Sequence, residues 1–100
     1  MIVCLDKSGH LRIDEDTDFR RFKVLISQGT LTELRETPPD GLRFQGAEHA
    51  FVSIDFLKQW GATHHDDTWL VDLDKMIAFA REHGWLDGSG RKIRAHIELQ

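Results

Sequence analysis

The sequence predicts an α+β fold: a mostly antiparallel sheet of about four to six strands, with one long C-terminal amphipathic helix and one short helix packed on a face. Three observations predict it. Short apolar runs with alternating polarity recur through the first half and again near the C-terminus. A helical periodicity spans Thr68 to His83. The strand-like runs precede the helices in a block, an order that suits segregated layers better than repeated βαβ units.

The elements follow in chain order. "MIVCLDKSGHLRID" places two short apolar runs around "DKSG", where Asp, Ser and Gly favour a turn, so a hairpin opens the chain. "FRRFKVLIS" puts Phe22, Val24 and Ile26 on one face and reads as a third strand. Leu31 and Leu34 are spaced as on a helix before Pro38 and Pro39 intervene. In "PPDG", Pro39 fits the second position of a turn and Gly41 closes it. "LRF" and "HAFVSI" then read as strands separated by a loop at Gln45, Gly46 and Ala47. Ser53 caps a short helix, "IDFLKQW", with Asp55 in its first turn and Gly61 as its stop.

The long helix is tested by angle, at about 100° per residue. Trp69, Leu70, Leu73, Met76, Ile77, Phe79 and Ala80 fall within one half of the wheel, and Asp74, Lys75, Arg81 and Glu82 fall outside it. Gly84 supplies a left-handed stop and Trp85 folds back on the last turn. "DGSG" turns the chain into "RKIRAHIEL", where Ile93, Ala95, Ile97 and Leu99 alternate with Lys92, Arg94, His96 and Glu98 as in a half-exposed strand.

Length and composition bound the function. One hundred residues fit a single globular domain, residues 1–100, small enough that a homodimer would add useful burial. A net charge of −4, from 17 acidic and 13 basic residues, lacks the basic footprint of a nucleic-acid binder. Cys4 is the only cysteine, which rules out an internal disulfide and a multi-cysteine zinc site and suits the cytoplasm. The apolar opening "MIVCL" is too short for a signal-peptide core or a membrane span.

Most candidate motifs fail on their spacing. Asp14, Asp16 and Asp18 in "DEDTD" start like a calcium loop, but Phe19 and Leu25 stand where its glycine and bidentate glutamate belong, so a solvated acidic turn is expected. "DGSGRK" lacks the P-loop spacing and leads into a strand rather than a helix. There is no HExxH, no GxSxG and no tyrosine. Ser53 is occupied as a cap, and Cys4, within a strand, reads as a buried inert thiol. His83 suits the negative end of the long helix, and His96 falls on the polar face of the last strand.

One local cluster survives, in "GATHHDDTWL". His64, His65, Asp66 and Asp67 are the residue types of a divalent-metal site or an acid/base pair. A metal would need a third ligand, so His10, His49 or His96 would have to converge on the cluster. Helix capping explains the carboxylates more simply: Asp67 caps Thr68 onward, or Thr63 and Asp66 form a capping box. Histidines at the helix start would be held neutral by the dipole.

Three functions remain. The leading expectation is a cytoplasmic, non-catalytic interaction or regulatory domain with a protein partner or a second copy, using a sheet edge or the surroundings of Trp60 and Trp85, with no metal, cofactor or membrane contact. The second is a small metal-dependent or acid/base enzyme using His64, His65, Asp66 and Asp67. The third is an anion-binding module through Arg91, Lys92 and Arg94.

Overall fold

A computed structural model describes residues 1–27 and 38–99. In chain order the described elements are β1 (Ile2–Leu5), β2 (Leu11–Asp14), β3 (Lys23–Ile26), β4 (Leu42–Gln45), β5 (His49–Ser53), α1 (Ile54–His64), α2 (Asp67–Glu82) and β6 (Lys92–Leu99). The strands form one sheet in the order β2-β1-β3-β6-β5-β4.

The α+β class holds, but the sheet is mixed rather than mostly antiparallel. β3 runs parallel to both β1 and β6, while β1–β2, β5–β6 and β4–β5 are antiparallel. The register explains how β3 comes to lie there. Asp14 at the end of β2 and Lys23 at the start of β3 both pair with Ile2, so residues 15–22 need cross only the start of β1 to reach its other edge. A hydrogen bond from Lys23 N–H to Met1 O, at 3.2 Å, and others from the Met1 ammonium to the carbonyls of Asp18 and Arg21 hold that crossing in place. Local polarity fixes which face of a strand is buried but not which distant strand lies beside it, so the place of β3 between β1 and β6 was not legible locally.

Alternation does decide the faces. Val3, Leu5, Ile13, Val24, Ile26, Ala50, Val52, Ile93, Ala95 and Ile97 form one buried layer against Leu57, Trp69, Leu73, Ile77 and Ala80 from the helices. Burying a large aliphatic side chain is worth about 1.5–3 kcal/mol, so this layer is the chief source of stability. Leu99, expected on the same face, is exposed at the strand end.

Several local expectations shift by a residue or more. Ser53 caps α1, accepting from Phe56 N–H at 3.3 Å, but the helix does not stop at Gly61. Gly61 is buried within α1, where Trp69 of α2 packs against its backbone; a Cβ there would overlap Cε3 and Cζ3 of the indole. The glycine serves a close helix crossing rather than a turn. The α2 cap is Asp66, which accepts from Thr68 N–H at 3.1 Å and Trp69 N–H at 3.4 Å. Asp67 is already helical, and Thr63 still belongs to α1 with its hydroxyl donating to Gln59 O, so neither anticipated cap forms.

The end of α2 follows expectation. Gly84 has φ +72°, with Gly84 N–H donating to Arg81 O and Trp85 N–H to Ala80 O, the paired bonds of a Schellman stop. The proline turn runs from Pro39 to Leu42, joined by a 3.2 Å bond, so Pro39 is its first residue and Gly41 its third. β3 begins at Lys23, leaving Phe22 in the preceding connection. The helical spacing of Leu31 and Leu34 lies outside the described residues. No described helix is long and apolar enough to cross a membrane.

Candidate functional site

The His-His-Asp-Asp cluster is a helix junction. His64 ends α1, His65 is its C-cap, Asp66 is the N-cap of α2 and Asp67 opens that helix. The histidines therefore lie at the negative end of one helix rather than at the positive start of another. His64 stacks on Trp60, with ring centroids 3.8 Å apart, and its Nδ1–H donates to Trp60 O at 3.0 Å. Asp66 is committed to its cap. Among the described residues, no three His, Cys, Asp or Glu side chains are grouped as metal ligands would be.

His65 has a partner that the sequence did not suggest. Its Nε2–H donates to Asp16 Oδ2 at 2.6 Å, and the same oxygen accepts from Trp60 Nε1–H at 2.9 Å. The Trp69 indole N–H donates to the Asp16 carbonyl at 2.7 Å, and His65 stacks on Trp69 with planes only 4° apart. Burial by itself would raise the Asp16 pKa, but the hydrogen bonds from His65 and Trp60 outweigh it and hold the carboxyl below the ordinary range. "DEDTD" is thus no mere solvated turn. Glu15, with φ +50°, precedes this clamp in the connection between β2 and β3.

An Asp–His pair at this distance is the orienting half of an acid/base device. In this fold the pair ties the β2–β3 connection to the helix junction. Phe19 in that connection adds a ring contact to Trp69 at 5.5 Å.

What the clamp positions is a groove of about 610 Å³ at a notch in the sheet. β3 pairs only with the C-terminal half of β6, from His96 to Leu99. Beside the N-terminal half lies the segment Trp85–Asp87, through Arg94 N–H to Trp85 O at 2.7 Å and Asp87 N–H to Lys92 O at 3.0 Å. Side chains from both faces of β6 reach the notch: Ile93 and Ala95 from the core face, Arg94 and His96 from the other. Met76, Phe79 and Ala80 of α2 line it together with Trp85, Phe19, Arg20, Phe22 and His49.

The lining has an unusual balance. Among the described residues, Arg20, Arg94, His49 and His96 make no side-chain hydrogen bond or ion pair and no carboxylate lines the groove. His49 and His96 face each other across β5 and β6, with rings 6.0 Å apart. Glu98, the nearest acid along the strand, is engaged by Lys23 at 2.7 Å, which lowers its pKa. Phe79, expected on the buried arc of α2, is 53% exposed, and Trp85 is 37% exposed.

Other candidates separate. Arg94 lines this groove and Arg91 lines a different depression with Lys58 and Arg81, while Lys92 lies on the same face of β6 as Arg94. The Asp87 carboxylate organises the turn after "DGSG", accepting from Ser89 Oγ, Arg91 N–H and Lys92 N–H. His83 donates through Nδ1 to Phe79 O at 2.9 Å, and His10 bonds Ser8 Oγ at 2.7 Å in the first hairpin. Cys4 is buried; desolvation, and then the neighbouring Asp14, push its thiol pKa up, away from nucleophilic chemistry.

Sequence reasoning missed Arg20, His49, Phe79 and Trp85 as a group because two elements and two connections, distant in sequence, bring them together. The one local signal was Phe79, at the rim of an otherwise strongly apolar arc. No protein-family model, curated protein or solved structure matches the chain.

Proposed function

We propose that the chain is a non-catalytic interaction or regulatory domain that works through the groove beneath the last turns of α2. One observation carries this reading: among the described residues, exposed aromatic rings and four basic side chains without a hydrogen-bond or ion-pair partner share a concave surface that no carboxylate lines. Such a surface suits recognition of a ligand by ring contacts and charge. The acid/base alternative loses ground because His65 and Asp16 do not line the groove and are bound into the clamp. The metal version lacks a third ligand among the described residues. The reading needs no cofactor, and a single buried thiol suits the cytoplasm.

A mixed library of small polar and apolar compounds, followed by amide and side-chain NMR shifts, tests it. Hits should converge on His49, Phe79, Trp85, Arg94 and His96. Hits gathered around His65 and Asp16 would reverse the assignment.

The homodimeric form of the reading rests on the exposed apolar side chains Val71, Phe79 and Trp85. Sedimentation over a wide concentration range tests that form. A dimer through this surface should weaken in Phe79→Ser, and a monomer at all concentrations would remove it.

A further inference from the structure

We propose that the groove binds a small organic anion with an aromatic body. The inference rests on the groove being the working site and adds the class of its occupant. Of the twelve described lining residues, six carry rings: Phe19, Phe22, His49, Phe79, Trp85 and His96. Ring-lined walls favour a flat π-system, which gains from offset and edge contacts beyond simple burial.

The charge pattern selects an anion. Arg20 and Arg94 are permanently cationic, face the same space and have no counter-charge among the described residues. A carboxylate or phosphate would supply charge-assisted acceptors to guanidinium groups that have none among the described residues. Arginine also stacks on an aromatic face, so one side chain can serve both halves of such a ligand.

Size and backbone chemistry favour a small molecule over a peptide strand. About 610 Å³ lies within the usual small-ligand range of roughly 300–1,000 Å³. An added strand would need a run of free backbone donors and acceptors. Beside the groove, the N-terminal half of β6 is already engaged by Trp85 and Asp87. A long nucleic acid is disfavoured by the net charge of −4.

The test titrates the full chain with 2-naphthoate, 2-naphthalenemethanol, inorganic phosphate and an acidic, aromatic-containing peptide, reading tryptophan fluorescence and NMR shifts. Naphthoate should move the Trp85 indole and the His49 and His96 ring signals. The neutral alcohol should bind about tenfold more weakly, and phosphate alone weakly or not at all. Arg94→Ala should cost naphthoate about tenfold while leaving the melting temperature unchanged, and Arg94→Lys should restore part of it. Equal binding of alcohol and acid, or an unaffected Arg94→Ala variant, would overturn the anion assignment. Groove shifts with the peptide but not with either naphthalene compound would overturn the small aromatic ligand and leave the groove as the working site. No groove shift with any probe would overturn both.

Discussion

Asp16 does more than its neighbours in sequence suggest. One carboxylate oxygen serves His65 and Trp60, and its carbonyl serves the Trp69 indole, so three side chains from the helix junction meet one loop residue. Asp16→Asn keeps the shape and removes the charge. We expect it to cost about 1–2 kcal/mol in urea unfolding, below the value of a fully buried charged bond because Asp16 and His65 remain 23% and 24% exposed. The pH dependence has a definite sign. Because the folded-state pKa of Asp16 is lowered, its contribution is complete above the unfolded carboxylate value of about 3.9 and is lost as pH falls through the lower folded value. The stability gap between wild type and Asp16→Asn should therefore be full near neutrality and close in acid. A gap of the same size on both sides of that window would show that shape, not charge, carries the effect. Asp16→Asn should also weaken groove binding, because Phe19 and Arg20 follow the clamp directly.

At the scale of elements, the α1–α2 joint shows how a glycine can mislead. A glycine after an apolar helical run reads as a stop, yet α1 continues for three residues past Gly61 to His64. The decisive fact is the absence of a Cβ where the Trp69 ring must lie. Gly61→Ala, which would ordinarily stabilise a helix by up to about 1 kcal/mol, should instead cost about 1–3 kcal/mol through overpacking. Ala62, the next residue, is exposed, so Ala62→Gly should cost only the propensity difference of about 1 kcal/mol. Thermal melts of the two variants separate packing from propensity. If Gly61→Ala melted at or above the wild-type temperature, the close crossing would be refuted. The junction residues His64 to Asp67 follow from the same crossing: two helices joined within two residues need one C-cap and one N-cap, and the polar run supplies them.

For the whole molecule, β3 is the structural hinge between two halves of the sheet. It joins the β1–β2 hairpin to the β6-β5-β4 group, and Ile26 within it is fully buried. Ile26→Ala should cost about 3 kcal/mol and lower the stability of both halves together. Tryptophan fluorescence and far-ultraviolet circular dichroism should then still unfold in one coincident transition; two separated transitions would show that the halves fold independently. The sequence by itself determined the α+β class, the first hairpin, the apolar face of β6 as far as Ile97, the core arc of α2 apart from Phe79, and its Gly84 stop. Those features depend on contacts and dihedrals only a few residues apart. It also singled out His64 and His65, beside Asp66 and Asp67, as a candidate cluster. Only the tertiary structure decided the parallel insertion of β3, the Asp16 partner of His65, and the meeting of Arg20, His49, Phe79 and Arg94. Each depends on which distant segments cross the start of β1 or flank the half-paired β6, and alternating polarity is the same for every such arrangement.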